Sequence, residues 1–163
     1  MVDLTQFGHA YEEVLSTFVK RAKVETILEL GVCTGVSTRA FLKALGGTGR
    51  LWSVDIYPRL EHTLKIQEAY PEWTFLVEDD LTLEWDRIVD LIFIDTSHVY
   101  KHTLGELVKF SPFARSWIFL HDTSAFPGPA KAIQEFLAEQ YNWVCAEWAH
   151  HHGLALLMRK SGA

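Results

Sequence analysis

The sequence predicts an α/β fold built on a mostly parallel sheet, and three observations support this prediction. Apolar stretches of strand length alternate five times with stretches of helical periodicity, which is the pattern of repeated βαβ units. The stretch from Leu91 to Ile94 is apolar throughout, as expected of a parallel strand covered on both faces. The last two apolar stretches are joined only by residues 149–153, too few for a parallel crossover, so they are predicted to pair antiparallel.

Length and composition limit the classes of protein to consider. Of the 163 residues, 48% are hydrophobic and 22% are charged, which fits a folded domain with a sizeable core. The formal net charge of −6 argues against a nucleic-acid backbone as the main partner. No apolar run of about 18 residues and no signal-peptide pattern occurs, so no membrane association is expected. The two cysteines, Cys33 and Cys145, are typical of thiols in a reducing, cytoplasmic compartment.

The chain is predicted to begin with one amphipathic helix over residues 4–23, capped by Asp3 or Thr5. Its apolar residues recur at helical spacing, as in a helix that packs one face on a core. The apolar run from Val24 to Leu30 follows and is predicted to be a buried strand, because β-branched and aliphatic side chains suit a pleated surface.

The stretch from Glu29 to Ser37, with sequence ELGVCTGVS, predicts the end of that strand, a tight turn and the start of a helix. Gly31 is predicted to take a positive φ, and Gly35 to let the backbone approach a ligand closely. Thr34 or Ser37 is predicted to cap the helix. A helix N-terminus at such a turn offers free N–H groups and a positive dipole end, which suits a nucleotide or a carboxylate. The alternative is a strand-to-helix turn that binds nothing.

The remaining elements are predicted in order along the chain. Further strands are predicted at 50–55, 73–77, 90–95, 117–120, 142–148 and 154–159. Further helices are predicted at 59–70, 81–89 (short), after residue 98, and at 129–140. The helix after residue 98 is predicted to face inward with Leu104, Leu107, Val108 and either Phe110 or Phe113.

Titratable side chains gather at the predicted carboxyl ends of the strands. They are Glu29, Asp55, Glu78 to Asp80, Asp95 with His98, and His121 with Asp122. In parallel sheets ligands bind outside these ends, and randomly scattered acids would not share one edge. Asp55 lies 20 residues past Gly35, where an acid accepts hydrogen bonds from ribose hydroxyls. Its alternative role is that of an acid at a helix N-terminus.

The arrangement over residues 24–160 resembles the class I S-adenosylmethionine-dependent methyltransferases. Glu29-Leu30-Gly31-x-x-x-Gly35 is similar to their first motif, Asp55 to their ribose acid, and Asp79 with Asp80 and Leu81 to their adenine-side motif. The terminal antiparallel hairpin is also typical of that fold.

The resemblance implies a Rossmann-like three-layer α/β/α sandwich with a seven-stranded sheet and a C-terminal antiparallel hairpin. It implies a single domain over residues 1–163, with an N-terminal helix (1–23) and a catalytic core (24–160). S-adenosylmethionine is then the expected cofactor. The resemblance places these residues at the cofactor: Glu29, Gly31, Thr34, Gly35, Ser37, Asp55, Asp79, Asp80 and Asp95.

Two further stretches resemble the metal-dependent O-methyltransferases, both the macrocin and cephalosporin-hydroxylase group and the catechol type. The stretches are 94–100, with sequence IDTSHVY, and 120–123, with sequence LHDT. Asp95 matches the metal ligand of the catechol type, and His98 stands where that type has a lysine base. The resemblance implies Mg²⁺ or Mn²⁺ at Asp95, His121 and Asp122, and His98 as the catalytic base. Packing roles for His98 and His121 are the alternatives.

The expected activity is O-methylation of a small hydroxylated molecule or a glycan. Short loops leave the acceptor site open, or let it form between the subunits of a homodimer. His150 to His152, with Trp148, are predicted to line the acceptor site or to form a solvated hairpin tip. One alternative function is a protein that binds the cofactor or a nucleotide without catalysis. A lower-ranked alternative is nucleic-acid methylation, which the net charge and the missing Asn-Pro-Pro-Tyr motif oppose.

Overall fold

The computed structural model describes residues 10–160 as alternating strands and helices. The helices are α1 Tyr11–Ala22, α2 Val36–Leu45, α3 Leu60–Ala69, α4 Tyr100–Phe110 and α5 Pro127–Glu139. The strands are β1 Thr26–Leu30, β2 Arg50–Asp55, β3 Thr74–Val77, β4 Val89–Ile94, β5 Ala114–His121, β6 Trp143–Trp148 and β7 Leu154–Arg159. Within this part of the chain, no helix is both long enough and apolar enough to cross a bilayer.

The strands form one seven-stranded sheet in the order β3-β2-β1-β4-β5-β7-β6. Neighbouring strands from β3 to β5 are parallel, and β7 runs antiparallel to both β5 and β6. The predicted mostly parallel sheet with a C-terminal antiparallel hairpin is therefore confirmed. The strand order reverses between β1 and β4, and in open α/β sheets a ligand crevice forms at such a reversal.

Helices cover both faces of the sheet because the central strands carry apolar side chains on both of their faces. In the central strand β4, Leu91 and Phe93 pack with α1 and α2 on one face. Ile92 and Ile94 pack with α4 and α5 on the other face. Every residue of β4 is buried, in agreement with the prediction from its apolar stretch Leu91 to Ile94. The predicted three-layer α/β/α arrangement is confirmed.

The N-terminal helix is shorter in the described residues than the sequence predicts. It begins at Tyr11 with Ala10 as its N-cap, and it buries Val14, Leu15, Phe18 and Val19. The predicted caps Asp3 and Thr5, and the first turn of the predicted helix, lie outside the described residues.

The short helix predicted over 81–89 is wrong, because this segment is a turn followed by irregular chain. The Asp79 side chain accepts the N–H of Leu81, and the Asp79 carbonyl accepts the N–H groups of Thr82 and Leu83. Local bonds of this kind offer the backbone an alternative to a helix.

The inward position predicted for Val108 is also wrong, since this side chain is 56% exposed. The buried face of α4 consists of Thr103, Glu106, Leu107 and Phe110. These residues have the i, i+3, i+4, i+7 spacing of one helix face, and Val108 lies beyond its edge.

Candidate active site

Gly31 makes the turn at the carboxyl end of β1 and faces the end of β4. Its φ is 89°, as predicted, and its N–H donates to the Val54 carbonyl over 2.9 Å. A Cβ at this position would collide with the Asp95 carbonyl oxygen and would lie 2.7 Å from the Asp95 carbonyl carbon. Only glycine therefore lets the ends of β1 and β4 approach this closely.

The helix after the turn has no side-chain cap, so the predicted capping by Thr34 or Ser37 is wrong. The N-cap of α2 is Gly35, in the left-handed conformation at a φ of 74°. A Cβ on Gly35 would meet the end of the Ile66 side chain of α3, and the φ of 74° itself favours glycine at this position. Gly35 and Thr34 do not line the cavity described below.

Glu29 holds β1 to α2, and its side chain does not line the cavity described below. Its cofactor role stays a prediction from the sequence. The side chain is fully buried, and its carboxylate accepts hydrogen bonds from Ser37 (2.6 Å), Thr38 (2.8 Å) and Ser53 (2.5 Å). Burial raises the pKa of Glu29 to about 7, although the three hydroxyl groups act in the opposite direction. Ser37 is therefore also a buried partner of Glu29 and not a cavity residue.

Asp55, at the end of β2, holds the glycine turn in shape. Its Oδ2 accepts the N–H groups of Val32 (2.9 Å) and Cys33 (3.0 Å), and its Oδ1 accepts the N–H of Tyr57 (2.9 Å). A carboxylate can accept about four hydrogen bonds, so one position on Oδ1 remains available to a ligand.

A cavity of about 390 Å³ opens at the carboxyl ends of β1, β2, β3 and β4. Five of the nine predicted cofactor residues line it: Gly31, Asp55, Asp79, Asp80 and Asp95. Glu29, Thr34, Gly35 and Ser37 do not line it. The sequence prediction missed other lining residues, which are Cys33, Val54, Ile56, Tyr57, Arg59, Thr96, Ser97 and His102. Glu78, noted in the sequence among the strand-end acids, also lines the cavity.

His102 connects the cavity to two buried acids. Its Nε2 lies 3.0 Å from Oδ1 of Asp80 and 3.6 Å from Oε1 of Glu106, which also accepts a hydrogen bond from Thr96 (2.8 Å). The nearby Glu106 carboxyl raises the pKa of His102 to about 9, and burial raises that of Glu106 to about 7. Acidic Glu106, four residues after His102 on an apolar helix face, was the available sequence signal.

Next to this cavity, Asp95, His121 and Asp122 converge at the ends of β4 and β5. Nδ1 of His121 lies 3.4 Å from Oδ2 of Asp95 and 3.6 Å from Oδ1 of Asp122. One ligand atom of each residue lies within 4.8 Å of the others. The predicted juxtaposition of these three side chains is therefore present. We call these three side chains, together with the neighbouring His98, the cation cluster. Asp95 belongs both to this cluster and to the lining of the cavity.

His98 completes the cation cluster from the loop after β4. Its Nε2 lies 2.9 Å from Oδ2 of Asp122 and 3.2 Å from Oδ1 of Asp95. Hydrogen bonding to Asp95 raises the pKa of His98. Burial alone would raise the pKa of Asp95, but the neighbouring imidazoles of His121 and His98 lower it below its ordinary value. The contact between His98 and Asp95 therefore stabilises the protonated imidazole and the ionised carboxylate.

Aromatic rings hold both imidazoles in place. Tyr11 of α1 stacks on His121 with 4.3 Å between ring centroids, and Phe126 stacks on His98 at 4.6 Å. Burial and the charge of Asp95 raise the pKa of Tyr11, so its hydroxyl stays protonated beside the cluster. The N-terminal helix therefore contributes directly to the surroundings of the cation cluster.

Residues 28–123 match a family model described as a methyltransferase domain. Comparison with curated proteins finds no match. Among solved structures, the SAH-bound methyltransferase PaMTH1 of Podospora anserina is 15% identical, with a TM-score of 0.76 over 93% of this chain and 78% of that chain. The Bacillus cereus O-methyltransferase in complex with SAH is 17% identical, with a TM-score of 0.73 over 98% and 83%. A Clostridium thermocellum protein provisionally named an rRNA methylase is 14% identical, with a TM-score of 0.70 over 91% and 94%.

The solved structures share the architecture of this chain at low sequence identity, so they establish its fold. The family match covers more than half of the chain and extends from β1 to the end of β5. It includes the glycine turn at Gly31, the acid at Asp55 and all members of the cation cluster. The chain belongs to the methyltransferase-domain family, as the resemblance in its sequence implies, and it shares its fold with the two SAH-bound methyltransferases.

Proposed function

We propose that this enzyme methylates a hydroxyl oxygen of a small molecule or a glycan beside a divalent cation. The observation that carries the proposal is the position of Asp95, which lines the cavity and also belongs to the cation cluster. A methyl donor bound in the cavity and an acceptor oxygen held at the cluster would therefore be neighbours. The two structural relatives that bind SAH, one of which is named an O-methyltransferase, support this assignment.

The cavity suits a nucleoside that carries a positively charged tail. Its rim includes five acids, which favour a cation by their summed field: Asp55, Glu78, Asp79, Asp80 and Asp95. In the proposed complex Gly31 lets the ligand approach the backbone, and Asp55 accepts a ribose hydroxyl at its remaining position. Asp79 and Asp80 face the base. S-adenosylmethionine supplies a methyl group on a positively charged sulfur.

The donor set of the cation cluster fits Mg²⁺ or Mn²⁺. The His121 side chain is only 9% exposed, and both of its ring nitrogens lack a hydrogen-bond partner. Its Nδ1 stands 3.4–3.6 Å from two carboxylate oxygens, close to the ~3 Å between adjacent corners of an octahedron with ~2.1 Å bonds. A nitrogen donor favours Mn²⁺, or Fe²⁺, over Mg²⁺. Asp95, His121 and Asp122 would hold the cation, which would lower the pKa of a bound hydroxyl.

His98 is the proposed general base. Its ring is 23% exposed, and Nε2 lies within hydrogen-bond reach of the carboxylates that would hold the cation. A cation bound by these carboxylates would offset their effect on His98 and lower its pKa, so that a neutral Nε2 would accept the proton of a hydroxyl bound at the cluster. The parallel stack on Phe126, with 6° between the ring planes, keeps the imidazole oriented for this transfer.

The test is transfer of a labelled methyl group to a panel of hydroxylated acceptors, measured with Mg²⁺, with Mn²⁺ and with chelator. The variants are Asp122→Ala and His98→Ala, with binding of SAH and circular dichroism as controls for the cavity and the fold. We expect chelator and Asp122→Ala each to abolish transfer while SAH still binds. Activity that survives both would remove the cation from the mechanism. Activity lost in Asp122→Ala but retained in His98→Ala would keep the cation and discard His98 as the base.

The same experiment separates the alternative functions. Binding of SAH without turnover of any acceptor, and without a cation effect, would favour a non-catalytic binding protein. Methylation of RNA would favour a nucleic-acid substrate, although the net charge of −6 opposes it and the relative named an rRNA methylase shares only the fold.

We further propose that the enzyme acts in the cytoplasm as a homodimer. Two free thiols and an acceptor side with short loops support this view. Light scattering on the purified full chain tests the oligomeric state.

A further inference from the structure

The β6–β7 turn, residues 149–153, has an unfavourable backbone conformation. His151 and His152 have φ of 49° and 71°, and the N–H of Gly153 donates to the His150 carbonyl over 3.0 Å. Two central residues with positive φ define a type I′ turn, where Asn-Gly is the favoured sequence. The chain therefore keeps two histidines where side chains with a Cβ are disfavoured.

Contacts to the loop after β5 hold the turn in this conformation. The His152 carbonyl accepts two hydrogen bonds, from the N–H groups of Ser124 (2.8 Å) and Ala125 (2.9 Å). Gly153 packs directly on the same loop, where an added Cβ would collide with the Ser124 nitrogen and lie 2.7 Å from Oγ1 of Thr123. The turn and the loop are therefore interlocked through backbone atoms.

The loop after β5 begins at Asp122, whose backbone is also in the left-handed region, at a φ of 58°. Among residues 10–160, six non-glycine residues have positive φ. One of them, Lys23, ends helix α1. The other five lie at the cavity, in the cation cluster or in the turn that contacts the loop after Asp122: Cys33, His98, Asp122, His151 and His152. Such strain persists only where surrounding contacts enforce it, and it concentrates at functional sites.

We infer that the β6–β7 turn is a clamp that positions Asp122 as a cation ligand, an inference that rests on the proposed cation function. Two features of the turn make this contact possible. The carbonyl of His152 accepts the hydrogen bonds from the loop, and the lack of a side chain at Gly153 lets the loop approach closely. The imidazoles of His151 and His152 are not required. Groups that orient metal ligands commonly change metal affinity by about 10–100-fold when they are disturbed.

The test compares Gly153→Ala with Gly47→Ala. Both glycines have positive φ (91° and 77°), but a Cβ on Gly47 meets nothing within 4 Å. The two variants therefore share the backbone penalty and differ in the collision with the loop. The measurements are Mn²⁺ affinity by electron paramagnetic resonance and SAH affinity by calorimetry, both on the full chain. A double variant, His151→Asn with His152→Gly, keeps the turn and removes both imidazoles.

We expect Gly153→Ala to weaken Mn²⁺ binding by about tenfold or more. SAH affinity should stay within about twofold, because the cavity is lined by other loops. Gly47→Ala and the double variant should bind Mn²⁺ like the wild type. Equal Mn²⁺ affinity in Gly153→Ala and the wild type would overturn the clamp alone. Loss of Mn²⁺ binding in the folded double variant would assign the role to the imidazoles and also overturn it. A wild type that binds SAH but no Mn²⁺ would overturn the proposed cation function and the clamp together.

Discussion

Glu29 joins β1 to α2 through a carboxyl group that solvent does not reach. Its pKa is raised by burial from the ordinary value of 4.5 to about 7. Between these values the folded state holds a proton that the unfolded state has released, so stability decreases as pH rises from about 4.5 to 7. A difference of about 2.5 pKa units corresponds to about 3 kcal/mol in the free energy of unfolding.

Glu29→Gln should remove this pH dependence, because an amide stays neutral at every pH. We expect the stability of the variant relative to the wild type to increase by about 3 kcal/mol between pH 4.5 and about pH 8. Urea unfolding followed by tryptophan fluorescence at several pH values measures this difference. Other carboxyl groups, including Asp95, titrate in both proteins and cancel. A difference that stays constant with pH would show that Glu29 is ionised in the fold.

Gly31→Val should abolish SAH binding, because a β-branched residue is strongly disfavoured at a φ of 89° and its Cβ would collide with the Asp95 backbone. Gly46→Val is the matched control. Gly46 also has a positive φ (62°), but a Cβ there meets nothing within 4 Å. Calorimetry with SAH should find no binding in the first variant and wild-type binding in the second. Equal affinities in the two folded variants would contradict a role of the turn in cofactor binding.

At the scale of an element, the central strand β4 should dominate stability. Ile92 is completely buried between two covered faces, so Ile92→Ala should cost about 2–5 kcal/mol of unfolding free energy. Val108→Ala, on the exposed face of α4, should change stability by less than about 0.5 kcal/mol. Chemical denaturation of both variants tests this contrast, and a small loss for Ile92→Ala would contradict the central position of the strand.

Most elements could be predicted from the sequence because burial leaves a one-dimensional pattern. The predicted strand 50–55 coincides with β2, and the continuous apolar run of β4 follows from its position between two layers. The segment 81–89 could not be predicted, because beyond the local turn at Asp79 its conformation depends on tertiary contacts. Trp85 packs edge-on against Trp52, and Arg87 lies over both rings. Distant contacts of this kind leave no periodicity in the segment itself.

For the whole molecule, ligand binding should raise the melting temperature. At a concentration of 100 times Kd, a ligand that binds only the folded state contributes about 2.7 kcal/mol. For a chain of this size that corresponds to about 5–10 °C. SAH should produce such a shift, and Asp55→Ala should reduce it, because Asp55 fixes the turn that borders the cavity. Differential scanning fluorimetry with NADH as a control ligand measures both effects, and a shift with NADH alone would contradict the cofactor assignment.

The candidate site could be predicted only in part, because the sequence gives positions along strands and not the directions of side chains. The ends of parallel strands meet at one edge, so Asp55, Asp79, Asp80 and Asp95 were placed correctly at the cavity. Glu29 lies at the same edge, but its side chain faces α2, where Ser37 and Thr38 surround it. His102 reaches the cavity from a helix, and no strand-end rule identifies it.

Cys33 gives the enzyme a natural chemical reporter. It is exposed and borders the cavity, whereas burial raises the pKa of Cys145 to about 12. A thiol reagent at neutral pH should therefore modify Cys33 first. A ligand in the cavity should slow this reaction. Mass spectrometry of the modified fraction of Cys33 therefore measures how far each candidate ligand occupies the cavity. Cofactors and inhibitors can be ranked in this way before any methyl acceptor has been identified.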